Sequence, residues 1–168
     1  MATIPSITEP RDLFMTELQS MLYVEDKLAN EVLPELADQI KQSDFKGDVR
    51  HHIEETRRHA ANLERALELL GEEPKPDKSH AIDGLVAQHD KIVKHIETDQ
   101  VRDVFNAGAA AKTEHLEIAA YEGMIETAEA LGEDEIVDLL EENLDDEKAA
   151  LKKVEKATKE LTKEASTA

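Results

Sequence analysis

The chain has 168 residues, no cysteine, and a formal net charge of −19 that arises from 39 acidic and 20 basic residues. The absence of cysteine excludes disulfides and thiolate metal sites, and the acidic charge argues against a nucleic-acid partner, which requires a positive surface. The length predicts one domain over 1–168 with enough buried surface for a core of its own.

The sequence carries no sign of export or of a membrane span. The N-terminus has no basic segment followed by an apolar run, so a secretory signal is not expected. No uninterrupted apolar stretch approaches the roughly 18 residues that cross a bilayer. We therefore expect a cytoplasmic protein with no membrane partner.

Apolar residues recur at every third or fourth position along most of the chain, which predicts an all-α fold. Pro34 is expected to kink the first helix, and Gly71 and Gly132 are expected to end two of the long helices. The predicted helices run from a Thr8–Pro10 start to about Gln42, and then over about 48–70, 81–97, 100–131 and 134–162. The core is expected over about 9–162, and the tail 163–168 is expected to fray.

The helices follow the order two long, one short and two long. A turn predicted over 43–47 and a second turn at Gly132 make each long pair antiparallel. The connector EEPKPDKSH contains two prolines, and with the short helix it forms a link of roughly 28 residues that can travel the length of a bundle. Four helices with one long crossover are the ferritin-like arrangement.

Each long helix places at least one carboxylate within its apolar stripe. Glu25, for example, lies seven residues after Leu18 and seven before Val32. An ionised carboxylate in a dry core costs several kcal/mol unless it is paired or binds a metal, and few basic residues occupy the same stripes. The candidate metal ligands are Glu25, Glu55, His59, Glu114, Glu117 and Glu147.

Carboxylates combined with imidazole suit iron or manganese, and one interpretation of these residues is a dinuclear iron or manganese site. In this arrangement Glu55 and Glu147 bridge the metals, Glu25 and His59 complete one position, and Glu114 and Glu117 complete the other. Two metals about 3.5–4 Å apart can hold oxygen or peroxide between them. Metal ions and peroxide or oxygen are therefore the expected partners.

Other interpretations of these stripes stay open. Each carboxylate could lie partly exposed at the edge of its stripe. His52 is interpreted as a boundary residue, and Tyr121 as a packing residue or as a hydrogen-bond donor to the site. The predicted levels of the ligands along the bundle axis also disagree. Glu25 lies about 20 residues before the predicted first turn, whereas Glu55 lies only about 10 after it, which is a mismatch of more than one helical turn.

Four segments carry a resemblance to a known family: PRDLFMTELQSMLYVEDKLANEVLPELA, HIEETRRHAANLERALELLGEEP, KTEHLEIAAYEGMIETAEALG and LLEENLDDEKAALKKV. Over about residues 9–160 the chain resembles the YciE/YciF-type family of ferritin-like proteins. The resemblance implies a rubrerythrin-like four-helix bundle, a homodimer and a link to bacterial stress responses.

Ferritin-like relatives usually carry Glu on the first and third helices and Glu-x-x-His on the second and fourth. Glu25 and Glu114 match this pattern, but a spacing of four rather than three separates Glu55 from His59 on the second helix, and Ala150 stands where the fourth helix needs its histidine. Rubrerythrins carry an additional glutamate on the third helix, which Glu117 matches. The resemblance thus makes Glu117 the candidate to replace the absent histidine.

Two functions remain open from the sequence. One is oxidative protection by a di-metal site, through peroxide reduction or ferroxidase chemistry, and whether the protein is an enzyme is not decided. The alternative is a non-redox structural or interaction bundle in a stress response, with a degenerate or vacant metal site. A storage shell is a third possibility, against which the family resemblance argues.

Overall fold

The computed structural model describes residues 6–167; residues 1–5 of the N-terminal segment and Ala168 of the tail lie outside the described residues. The elements are α1 (Pro10–Lys27), a π-helical turn (Leu28–Val32), α2 (Leu33–Gln39), α3 (Ser43–Leu69), α4 (His80–Val93), α5 (Asp99–Leu131) and α6 (Asp134–Thr167). The all-α prediction is confirmed. Within 6–167, no helix combines the length and the apolar character that a membrane crossing requires.

The long helices form two antiparallel hairpins that pack side by side. The first hairpin consists of α1, the π-helical turn, α2 and α3, and the second consists of α5 and α6. Helix α1 packs on α3 and α5, and α6 packs on the same two helices, so α1 and α6 are diagonal in the bundle. The connector and α4 return the chain from the end of α3 to the start of α5. This is the predicted four-helix bundle with one long crossover, the ferritin-like arrangement.

The first long helix is continuous but changes its hydrogen-bonding pattern after Lys27. The backbone N–H of Leu33 bonds to the carbonyl of Leu28, five residues back, which is the π-helical pattern. Pro34 follows directly and has no N–H with which to form a regular helical bond. The irregularity predicted at Pro34 therefore takes the form of a π-helical turn, one turn beyond Glu25.

The first hairpin turn is Ile40–Gln42, so the predicted turn over 43–47 was wrong. The buried Asp103 carboxylate accepts hydrogen bonds from the N–H groups of the second and third residues of this turn, at 3.0 and 2.8 Å. The Phe45 side chain is buried, which draws 43–47 into α3. These tertiary contacts outweigh the polar, turn-like local sequence.

The observed turn removes most of the difference in level along the bundle axis that the sequence predicted between Glu25 and Glu55. Glu25 lies 16 residues before Lys41, the middle of the observed turn, and Glu55 lies 14 residues after it. The other end of the bundle agrees with the sequence, since Gly132 ends α5 with a φ of 74°, which glycine adopts without strain. Helix α6 extends to Thr167, beyond its predicted end and into the segment predicted to fray.

A polar contact ties the crossover helix α4 to α1. Asp83 lies 2.7 Å from Lys27 Nζ and accepts a hydrogen bond of 3.0 Å from the Tyr23 hydroxyl. The hydrogen bond from Lys27 is the main cause that lowers the pKa of Asp83 to about 2. Ile82, next to it, is fully buried, so one apolar anchor and one charged contact hold this end of the helix.

Replacing Asp83 with Asn should loosen α4 and accelerate amide hydrogen exchange across His80–Val93, because the anion that receives Lys27 is lost. Asp90→Asn, at an exposed position of the same helix, is the matched control. The folded pKa of Asp83 lies below its ordinary 3.8, so its contribution is present above that value and is lost as the pH falls toward about 2. Equal exchange rates in Asp83→Asn and the unmodified protein at neutral pH would contradict this role.

Candidate metal centre

Two clusters of potential metal ligands meet inside the bundle and share one residue. Glu25, His59 and Glu147 form the first cluster, and His52, Glu114 and Glu147 form the second; in each, the potential ligand atoms lie within 4.8 Å of one another. All five side chains are buried, with at most 6% exposure. Because α1, α3, α5 and α6 all contribute, the centre depends on the packing of the complete bundle.

The Glu147 carboxylate faces both clusters. Its Oε1 lies 2.8 Å from His59 Nδ1, and its Oε2 lies 3.4 Å from His52 Nε2. Within 6–167, neither oxygen has a hydrogen-bond partner despite these short distances, so the atoms face a common space without the alignment of a hydrogen bond. A carboxylate that presents one oxygen to each of two imidazoles is disposed as a bridging ligand.

Each imidazole presents its second nitrogen to a carboxylate outside the clusters. His52 Nδ1 lies 3.0 Å from Glu55 Oε2, and His59 Nε2 lies 3.3 Å from Asp146 Oδ2. Such a partner accepts the N–H of a metal-bound histidine and leaves the lone pair of the other nitrogen facing the metal. Both histidines are therefore oriented as ligands would be.

Unsatisfied polar atoms are concentrated in this centre. Across 6–167, the buried side-chain nitrogen and oxygen atoms without a hydrogen-bond partner all belong to Glu25, His52, His59, Glu114, Glu117 and Glu147. Buried polar groups elsewhere in proteins are almost always hydrogen-bonded, so this cluster of atoms could hold a metal ion. Carboxylate oxygen with imidazole nitrogen is a donor set that suits iron or manganese, and the two clusters offer one set of such donors each.

The electrostatics of the centre follow from burial and crowding. Burial is the main cause that raises the pKa of three carboxyl groups, those of Glu25, Glu114 and Glu117. Burial alone would lower the pKa of His59, but the Glu147 and Glu25 carboxylates outweigh it and raise that pKa to about 10. Protons on these groups thus reduce the negative charge of the buried centre.

The structure brings four of the six predicted ligands into the two clusters: Glu25, His59, Glu114 and Glu147. Glu117 is fully buried beside them but belongs to neither cluster. Glu55, predicted as a bridge, lies outside the centre with a side chain that is 13% exposed, and it contacts His52 and, at 3.1 Å, His51. Its observed position is that of a partner that orients His52.

His52 is buried in the centre, so its interpretation as a boundary residue was wrong. The buried stripe of α3 runs back from His59 through Thr56 to His52, in steps of three and four residues. This spacing was visible in the sequence and would have identified His52. The residue supplies the imidazole that α6 lacks at Ala150, a role that the resemblance gave to Glu117.

A buried hydrogen-bond network supports the first cluster. The Tyr121 hydroxyl donates to Glu25 Oε1 and accepts from Asn143 Nδ2 at 3.1 Å, and the same amide group lies 3.3 Å from the His59 carbonyl oxygen. The hydrogen-bonding interpretation of Tyr121 is therefore the observed one. Asn143 was missed in the sequence, where its only signal is its place one helical turn before Glu147.

Glu117→Gln should stabilise the metal-free protein, by on the order of 1 kcal/mol or more at neutral pH, because it removes a buried carboxyl group that must either take up a proton or remain a charge without a partner. Burial first, and then Glu147, raises the pKa of Glu117 above its ordinary 4.5. The native state therefore loses stability relative to the unfolded chain as the pH rises above that value, and the advantage of the variant should grow with pH. Urea unfolding at several pH values measures this effect.

Glu126→Gln, at an exposed position of α5, is the matched control for this variant, and its stability should differ little from that of the unmodified protein. A Glu117→Gln protein that is less stable than the control at every pH would show that Glu117 is satisfied in the native state.

Comparisons with known proteins agree with this architecture. The chain matches the family described as "Domain of unknown function (DUF892)" over residues 9–167. YciF of Escherichia coli is 31% identical to it over 139 residues, which cover 82% of this chain and 83% of YciF.

Solved structures show the same fold. YcfI of Rhodopseudomonas palustris, described as a candidate structural protein, is 33% identical with a TM-score of 0.88, over 91% of this chain and 97% of that one. The E. coli stress protein YciF is 27% identical with a TM-score of 0.87, over 94% and 99% of the two chains. A Xanthomonas campestris protein at 23% identity shares the fold, with a TM-score of 0.74 over 92% and 94%. The chain therefore belongs to the DUF892 family and is a homologue of the E. coli stress protein YciF.

Proposed function

We propose that this protein binds a dinuclear iron or manganese centre and uses it for oxidative protection in a stress response, by reducing peroxide or oxidising ferrous iron. The observation that carries the proposal is the position of Glu147 between two clusters in which each residue has at least one buried side-chain atom without a hydrogen-bond partner across 6–167. The stress context rests on the homology to YciF. The homodimer, which rests on the resemblance alone, and the cytoplasmic location remain proposals.

The two clusters define which residues would hold each metal. Glu25 and His59 would bind one ion, His52 and Glu114 would bind the other, and Glu147 would bridge them. When bound, such a pair supplies electron transfer to or from a small oxygen species.

The side chains and the packing of the protein position the candidate ligands. The bundle excludes bulk water from the ligands, Glu55 and Asp146 hold the two imidazoles, and the Tyr121 hydroxyl fixes Glu25. Rigid support of this kind keeps the ligands in position without the metal.

Substitutions of the candidate ligands should lower the metal content by different amounts. After expression with iron and manganese, elemental analysis should find two metal ions per chain in the unmodified protein. Replacing His52 or His59 with Ala should each lower the content toward one. Glu147→Gln should lower the affinity of both positions, because its carboxylate serves both clusters, and the double variant with Glu114→Gln should lose tight binding altogether.

Glu155→Gln is the matched control for these variants, because Glu155 lies at an exposed position of the same helix as Glu147. Its metal content should equal that of the unmodified protein. Unchanged metal in the variant that lacks both Glu114 and Glu147 carboxylates would refute the dinuclear site.

The alternative function is a structural or interaction bundle without redox chemistry, and the description of the homologous YcfI as a candidate structural protein favours it. In that case the protonated imidazoles and carboxyl groups are the functional state of the core. The stability of the metal-free protein then needs no cation.

Thermal melting separates the two functions. A ligand that binds only the folded state stabilises it by about 2.7 kcal/mol at a concentration one hundred times its Kd. Iron or manganese should therefore raise the melting temperature of the metal-free protein and leave that of Glu147→Gln nearly unchanged. An unaltered melting temperature in both proteins favours the structural function.

A further inference from the structure

A small cavity lies beside the His52 cluster, between α2, α3, α5 and α6. Its volume is about 20 Å³, which suffices for one water-sized molecule. The buried residues His52 and Glu114 line it, and so does Ala150. The exposed Lys153 and the partly exposed Asp48 also line it, so the cavity lies between one candidate metal position and the surface of the bundle.

Ala150 lines this space with a short side chain. It stands on α6 three residues after Glu147, the position at which a Glu-x-x-His motif would carry an imidazole. A larger side chain at this position would occupy part of the cavity, while the imidazole of the second cluster comes from His52 on α3. The first cluster differs, since Tyr121 and Asn143 form hydrogen bonds beside it.

The walls of the cavity select by size and by charge. Leu33, Val49 and Val154 form apolar surface, and the titratable lining consists of Asp48, His52, Glu55, Glu114 and Lys153. The protein as a whole carries a net charge of −19. Anions are therefore disfavoured, and the volume excludes molecules with a branched carbon skeleton.

We propose that Ala150 is a specificity-determining residue, and that the cavity it leaves open is the entrance through which a small neutral oxidant of the size of hydrogen peroxide reaches the His52 metal position. This inference rests on the proposed function, because it requires a metal at that position. It adds to the proposed function the class of substrate, and it identifies the His52 position as the one that the substrate approaches.

The test compares Ala150→Leu, which places three further carbon atoms in the cavity, with Ala149→Leu, an exposed neighbour on the same helix. Metal content is measured first. Nitric oxide binding to the ferrous proteins, followed by electron paramagnetic resonance, then reports access without turnover. Iron oxidation by hydrogen peroxide and by tert-butyl hydroperoxide reports selectivity.

We expect Ala150→Leu to retain its metal and to lose about tenfold or more in both the rate of nitric oxide binding and the rate of oxidation by hydrogen peroxide. Ala149→Leu should match the unmodified protein. The unmodified protein should react at least about tenfold faster with hydrogen peroxide than with the bulky hydroperoxide, and Ala150→Gly, which widens the cavity, should reduce that preference.

The outcomes separate the two proposals. Unmodified protein without bound metal overturns the proposed function and, with it, the entrance. A metal-loaded Ala150→Leu protein with unchanged nitric oxide binding overturns the entrance alone. If Ala150→Leu fails to fold or to bind metal, Ala150→Gly decides, and an unchanged preference between the two peroxides in that variant overturns the inference.

Discussion

The burial of four glutamates with unsatisfied carboxylate oxygens is the constraint on which the structure depends. Glu25, Glu114, Glu117 and Glu147 lie buried together, and within 6–167 each has at least one oxygen without a hydrogen-bond partner. Such an arrangement opposes folding. The protein tolerates it because two histidines lie among the carboxylates and because apolar contacts along the rest of each helix stabilise the bundle. Instability concentrated at one place in an otherwise apolar core is typical of a functional site.

Contacts at the ends of the bundle keep the buried glutamates and histidines at the same level along the bundle axis. Asp103 of α5 binds the backbone of the turn between α2 and α3, so the second hairpin fixes where the first one reverses. The crossover helix α4 is fastened to α1 by Asp83 and Ile82. Contacts remote from the centre therefore determine whether its ligands meet.

The sequence predicted the architecture well, because long amphipathic helices, two glycine stops and a proline-rich connector are local signals. It also identified Glu25, His59, Glu114 and Glu147 as residues of one site. It could not locate the first turn, whose position depends on Asp103, 61 residues beyond Gln42. This error displaced the start of α3. Glu55 and His52 were assigned from their spacing to His59 along α3, and the packing of the helices decides that His52 rather than Glu55 enters the clusters. Asp146, which contacts His59, and Asn143, which contacts Tyr121, are defined by contacts between helices.

The sharing of Glu147 has a consequence for how the centre fills. In the proposed dinuclear site, one carboxylate would serve both positions, so an ion in the first cluster would restrain an oxygen that the second ion requires. The affinities of the two positions would then be thermodynamically linked, and each ion would alter the binding of the other by the same factor. A partly filled centre would be a state distinct from both the empty and the full protein.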